Sequence, residues 1–234
     1  MDLTIKDVAG LLNVSEATIN QWIVEGSIPC YRVSDQYRFS RIEIEDWVLS
    51  KQSGDSPFNK GHEEVESGGS QQFSLFRSIH KGGVLHEVPG DNKEEVIRNA
   101  MKVIAKDLNL DHDVLSEMLI DRENLQPTAL GQGIGLPHTR DSFLNAKHDR
   151  VIVCFPEKPI EDYGSLDGES VHTLFFLFAC NDKRHLHLLA KIAHLANKSE
   201  TLELLKAKPN KVKLLGYVKD WESQIGKVLF RTEK

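Results

Sequence analysis

The sequence predicts an α/β protein, a mixed sheet flanked by helices, with a small separate unit of helices and a hairpin ahead of it. Three observations predict this. From Phe73 onward the chain alternates helical spacing with β-rich runs. Between Lys51 and Gln72 it reads "QSGDSPFNKGHEEVESGGSQ", a Gly-, Ser- and charge-rich stretch nearly free of periodic apolar residues, which is a linker composition. Before that, residues 1–51 show two short helical patterns and a hairpin. The expected organisation is therefore an N-terminal unit at 1–51, a linker at 52–72 and a larger domain at 73–234.

In the first unit, Ile5, Val8, Ala9 and Leu12 recur at helical spacing behind Thr4, placed as an N-cap. Asn13-Val14-Ser15 makes a turn, and Ser15 caps a second helix whose apolar face is Ile19, Trp22 and Ile23; Gly26 stops it. After Pro29, "CYRVS" and "YRFSR" flank Asp35-Gln36 as a hairpin, and "IEIEDWVLSK" closes with a helix. Two helices joined by a tight turn, a hairpin and a helix make the outline of a winged helix-turn-helix. The second helix turns Ala17 and Gln21, flanked by Thr18 and Asn20, away from its apolar face. Such side chains suit major-groove reading, because Gln and Asn bond adenine bidentately and Ala or Thr meets a thymine methyl. Arg32, Arg38 and Arg41 are placed to grip phosphates. Against this, residues 1–51 hold five Lys and Arg and eight Asp and Glu, a formal −3 rather than a basic footprint.

In the larger domain, "DNKEEVIRNAMKVIAKDLNL" has Asp91 as a cap with Glu94 three residues on, and Val96, Ala100, Val103, Ile104 and Leu108 as an apolar stripe. "DHDVLSEMLIDRENL" repeats the pattern with Val114, Leu115, Met118 and Leu119. "RVIVCFP" and "VHTLFFLFAC" read as strands, and "RHLHLLAKIAHLANKSETLELLKAKP" and "NKVKLLGYVKDWESQI" as helices.

Composition bounds the function. With 234 residues, 40% hydrophobic and 27% charged, there is chain enough for a real core. The longest apolar run, Val171 to Cys180, is about half of the roughly 20 residues that a spanning helix needs, so no membrane insertion is expected. The first residues lack an apolar signal segment, and Cys30, Cys154 and Cys180 form no C-x-x-C pair, so the expected setting is the cytoplasm with reduced, packing thiols. A net charge of −6 argues against nonspecific polyanion binding by the whole chain.

Chemistry concentrates in "GQGIGLPHTR", residues 131–140. Its G-x-G-x-G spacing and preceding helix do not fit a dinucleotide fingerprint. Metal binding is not expected either, since His185 and His187 at i and i+2 on a helix point about 200° apart. Glycines allow positive φ and close approach, so backbone N–H groups can converge on an anion beside His138. With no serine nucleophile or acid pair nearby in sequence, this suits attack by a neutral histidine on a phosphoryl group, with no cofactor.

Two resemblances follow from these residues. Residues 1–51 resemble the excisionase/MerR-like DNA-binding family through Leu3-Thr4, Lys6, Ala9, Leu12, Val14-Ser15, Thr18-Ile19, Gly26, Ile28-Pro29 and Tyr31-Arg32-Val33. The resemblance implies contact with a DNA operator through Ala17, Thr18, Asn20, Gln21, Arg32 and Arg38. The recognition helix departs from many relatives in having no Arg or Lys. Residues 73 to about 225 resemble the type-2 enzyme IIA domain of the bacterial phosphotransferase system, the mannitol/fructose class and within it the nitrogen-regulatory IIA proteins. "LIDRENL", "GIGLPHTR", "VHTLFFLFAC" and "RHLHLLAKIAHLANK" occur in the family's order.

That second resemblance implies that His138 is phosphorylated by a histidine phosphocarrier protein, that Arg122 lies near the phosphoryl group and that His185 is the second active-site histidine. Gly133, Gly135, Thr139 and Arg140 would form the phosphoryl-binding loop. Thr139 stands where the family often has glycine, and Arg184 where sugar-transporting members often have an acid, which counts against a standard sugar role. The implied function is a regulatory phosphorelay component with a phosphohistidine intermediate rather than a stand-alone kinase, coupling phosphorylation to DNA binding or to a regulated protein partner. Two alternatives stay open: a docking protein without phosphotransfer, and a transport IIA that passes phosphate to a IIB domain. The two phosphotransfer readings depend on an exposed ring nitrogen at position 138.

Overall fold

The computed structural model describes residues 2–12, 14–33, 36–50, 74–139 and 149–229. The expected linker and Arg140 lie outside the described residues. The N-terminal unit comprises β1 (Asp2–Leu3), α1 (Ile5–Leu12), α2 (Glu16–Val24), β2 (Tyr31–Val33), β3 (Gln36–Ser40) and α3 (Arg41–Ser50). Both expected caps form. Thr4 and Asp7 bond each other reciprocally, and Ser15 Oγ accepts from Thr18 N–H at 3.1 Å. Gly26 takes φ 63°, the left-handed turn that ends α2. Gln36, expected in the hairpin turn, is instead the first residue of β3, which pairs with both β1 and β2.

The larger domain runs α4 (Leu75–Gly82), β4 (Gly83–Val88), α5 (Lys93–Leu108), α6 (His112–Leu125), β5 (Ala129–Gly131), β6 (Ile134–Gly135), β7 (Arg150–Pro156), β8 (Thr173–Phe178), α7 (Asp182–Ala196), α8 (Ser199–Lys206) and α9 (Lys211–Leu229). Its sheet has the order β4-β7-β8-β6-β5. The β4–β7 and β6–β8 pairs are parallel; β7–β8 and β5–β6 are antiparallel, so the sheet is mixed as expected. Alternation divides the core between two faces. Val151, Val153, Phe155, Phe175 and Leu177 pack with α4 and α7, while Ile152, Cys154, Leu174, Phe176 and Phe178 pack with α5 and α6. The three cysteines are free, and burial pushes the Cys154 thiol up to about 12, which fits packing rather than reactivity.

Several local expectations shift. Asn92, not Asp91, caps α5: its Oδ1 accepts from Glu95 N–H at 2.9 Å, and Glu95 rather than Glu94 reaches back to the Asp91 N–H at 3.0 Å. Val103 and Val114, expected on apolar stripes, are 50% and 59% exposed, because the buried stripes centre on Ile97, Ala100 and Ile104, and on Leu115 and Leu119. Helix α4 and strand β4 do not figure in the sequence reading. Their seat is long-range: Glu222 of α9 accepts from Leu75 N–H at 2.7 Å, Phe76 N–H at 3.2 Å and Ser74 Oγ at 2.8 Å, and also holds Lys191 of α7 at 2.7 Å. One carboxylate thus joins three helices. No helix among the described residues is long and apolar enough to cross a membrane.

Removing that carboxylate strands the α4 amide donors and takes one ion-pair partner from Lys191. Glu222→Ala is therefore expected to lower the unfolding free energy by about 2 kcal/mol in urea titration, whereas Ser223→Ala, on the exposed neighbour, stays within about 0.5 kcal/mol.

Candidate functional site

His138 follows the β5–β6 hairpin and is held beside the sheet by a parallel bridge to Leu177, whose N–H donates to the Pro137 carbonyl at 3.1 Å. Its Nδ1 lies 2.8 Å from the Leu136 carbonyl oxygen. A carbonyl can only accept, so Nδ1 carries the proton and Nε2 carries the lone pair. The carbonyl is itself placed by a relay from α6. Glu123 accepts from Thr128 N–H at 2.9 Å and from the Thr128 hydroxyl, the Thr128 carbonyl accepts from Leu136 N–H at 3.1 Å, and Leu136 then orients the imidazole.

Glu123 is the residue that sequence reasoning missed. It is 1% exposed, and burial raises its carboxyl above the ordinary value against the pull of the Thr128 donors. Fully buried Tyr163 sits beside it, with its phenol pushed well up by burial and by that carboxylate. The available signal was its place in "LIDRENL", next to Arg122.

The structure brings the three expected catalytic residues together. The His138 and His185 rings lie 5.1 Å apart at an interplanar angle of 59°. His185 stands in the first turn of α7, which Asn181 caps by accepting from Arg184 N–H at 3.0 Å. Its imidazole is held well below the usual histidine range, first by burial and then by the mutual opposition to protonation of the neighbouring His138 ring and the positive charges of Arg41 and Arg122. His185 is therefore neutral near pH 7 and able to donate one hydrogen bond. Arg122 sits in the last turn of α6, where a cation complements the helix dipole, and its Nη1 donates to the Gln126 carbonyl at 2.9 Å.

Other expectations are corrected. His138 is 0% exposed, not open to solvent; His185 and Arg122 are 3% and 4% exposed. Gly133 and Gly135 belong to the hairpin, where their lack of a side chain serves close packing. Gly133 has φ 78°, and a Cβ there would stand 2.4 Å from the His172 ring; one on Gly135 would stand 2.7 Å from Leu174 and 2.9 Å from Tyr163. Thr139 is buried directly after His138. Arg184 is drawn to Asp149 at 3.5 Å. Among the described residues no cluster of His, Cys, Asp or Glu could hold a metal.

On the N-terminal unit, Ala17, Asn20, Gln21 and Arg32 are exposed and Thr18 is half-buried. The Thr18 hydroxyl bonds Ser15 Oγ at 2.8 Å, the Asn20 amide donates to the Glu16 carbonyl at 2.9 Å and Gln21 to Glu25 at 2.7 Å, so these polar groups rest in local bonds on an open face. Arg38 donates to Gln36 at 2.6 Å. Arg41 is no phosphate grip here: it faces the larger domain and pairs with Asp182 at 2.7 Å.

Residues 78–221 match the family described as phosphoenolpyruvate-dependent sugar phosphotransferase system, EIIA 2, and residues 3–52 match a helix-turn-helix domain. A nitrogen regulatory protein of Pseudomonas aeruginosa is 31% identical over 149 residues, 62% of this chain and 95% of that protein. The transcriptional repressor DcmR of Methylorubrum extorquens is 47% identical over 57 residues, 24% of this chain and 22% of the repressor. The crystal structure of nitrogen regulatory protein IIA-Ntr from Neisseria meningitidis shares the fold, with a TM-score of 0.52 at 21% identity over 64% of this chain and 97% of that one. Because the larger match spans more than half of its residues, the chain belongs to the EIIA type-2 family of the phosphoenolpyruvate-dependent sugar phosphotransferase system, and it carries a helix-turn-helix domain ahead of that unit.

Proposed function

We propose that the protein is a regulatory IIA component that accepts a phosphoryl group on Nε2 of His138 from a histidine phosphocarrier protein, and whose phosphorylation state governs the helix-turn-helix domain. The observation that carries this is the bond from His138 Nδ1 to the Leu136 carbonyl, which leaves the lone pair on Nε2, in a ring 5.1 Å from that of His185. In the transfer the Nε2 lone pair attacks phosphorus, the P–N bond to the carrier's imidazole breaks, and its electron pair returns to that ring. No proton has to leave His138, because Nδ1 keeps its own. Arg122 offsets charge on the equatorial oxygens, and neutral His185 at the positive end of α7 donates to them.

The regulatory part rests on the fused helix-turn-helix domain and on the nitrogen regulatory and repressor relatives. Residues 1–51 would meet a DNA operator through Ala17, Asn20 and Gln21 in the major groove, with Arg32 on phosphate. Location in the cytoplasm follows from the phosphocarrier as partner.

Incubation with phosphoenolpyruvate, enzyme I and the phosphocarrier is expected to add about 80 Da in an acid-labile form, and His138→Ala is expected to add none. Arg122→Lys, which keeps the charge and loses the fork of donors, should slow labelling by about 10²-fold. A chain that never labels would leave only the docking reading. Operator affinity, measured on duplexes selected from random DNA, should differ between the phosphorylated and unmodified protein, and equal affinities would remove the coupling.

The depressed His185 value has a thermodynamic consequence. The unfolded imidazole titrates near 6.5 and the folded one lower, so this contribution to stability is complete above about pH 6.5 and is lost as the pH falls below it. His172 and His194, also lowered first by burial, act with the same sign. Tm is expected to drop between about pH 7.5 and about pH 5, and to drop less in His185→Gln. An equally steep fall in that variant would overturn the neutral assignment.

A further inference from the structure

Helix α7, which brings His185 to within 5.1 Å of His138, is packed against by the chain's own helix-turn-helix unit. Helices α1 and α3 pack on α7, the helix whose first turn carries His185. Val8, Ala9 and Leu12 of α1 and Ile44, Trp47 and Val48 of α3 share one continuous apolar cluster with Leu186 and Leu189 of α7. Arg41, the first residue of α3, pairs with Asp182, the first residue of α7, at 2.7 Å. A cleft lined by Ser27, Pro29, Glu43 and Trp47 on one side and Gln126 on the other marks the rim of the contact, and Gln126 is the residue whose carbonyl holds Arg122. The contact therefore reaches the elements that supply both His185 and Arg122.

Two facts give this packing a functional sense. In-line transfer requires the carrier's phosphohistidine to come within bonding reach of Nε2, and a histidine with 0% exposure offers no such approach. Ala17, Asn20, Gln21 and Arg32 of the small unit stay exposed while α1 and α3 are engaged.

We propose that the face around His138 is a docking surface with two alternative occupants, the chain's own helix-turn-helix unit through α1, α3 and Arg41, and the phosphocarrier. The proposal rests on the reading of His138 as phosphoacceptor and names how that site is regulated. The docked unit blocks phosphorylation, and it must leave before the carrier can bind. Once formed, the phosphoryl dianion must lose its hydration for the helix-turn-helix unit to pack again beside His185, and that desolvation opposes re-docking. Phosphorylation thereby converts a helix-turn-helix unit held in one orientation into one that is tethered only.

The test uses the full chain with Arg41→Glu, which turns the partly exposed ion pair into a repulsion, and with the exchange Arg41→Glu/Asp182→Arg, which restores attraction. Initial phosphorylation by the carrier is expected to be at least about five-fold faster in Arg41→Glu and to return toward the wild-type rate in the exchange. Amide hydrogen exchange should in parallel show α1 and the start of α7 less protected in Arg41→Glu, and in wild type after phosphorylation. Labelling of His138 at one rate in all three proteins, with unchanged exchange, overturns the docking proposal and leaves the phosphoacceptor reading standing. A chain whose His138 never labels in any of the three overturns both.

Discussion

The bond from His138 Nδ1 to the Leu136 carbonyl is the constraint on which the rest of the site depends. An imidazole free to rotate would present either nitrogen, and its tautomer would average. Held by a carbonyl, it presents a single lone pair in a single direction. The holding group is in turn fixed by backbone that runs through Thr128 to the buried carboxyl of Glu123, so a side chain at the end of α6 sets the geometry of a ring after β6. Arg122 is the neighbour of Glu123 in sequence. The helix that orients the His138 ring therefore also delivers the guanidinium of Arg122.

The same economy appears on α7. Its first turn holds His185 beside His138, its Asp182 receives Arg41, and its apolar face receives both the sheet and the N-terminal unit. Charge and burial act on His185 in one direction, since desolvation, the adjacent imidazole and two guanidinium groups all oppose its protonation. A neutral second histidine is a hydrogen-bond donor without a fixed charge.

The pattern of the chain carried a good deal of this. Thr4 and Ser15 were legible as caps because capping is a local affair between a side chain and amides three residues on. Strands β7 and β8 were legible because a strand buried on both faces has nowhere to place a polar residue. Helix α4 went unread although Ser74 caps it locally by accepting from Arg77 N–H; what the sequence could not show is that its first amides also reach Glu222, more than 140 residues away. The cap of α5 was displaced by one residue because Asp91 and Asn92 are both competent caps, and neighbouring residues of the same type leave the choice open. The glycines of "GQGIG" drew attention to the right place for another reason: Gly133 and Gly135 yield space to His172, Leu174 and Tyr163, and by doing so carry the backbone to His138.

The sequence by itself determined the α/β class and the helix-turn-helix domain ahead of it, and singled out His138, His185 and Arg122 as candidates, because periodicity, capping and motif order are properties of neighbouring residues. Only the tertiary structure decided that His138 is buried, that Glu123 positions it and that Arg41 faces Asp182 instead of DNA. Those outcomes depend on which surfaces cover one another, and burial, desolvation and ion pairing between segments far apart in the chain exist only once the chain has packed.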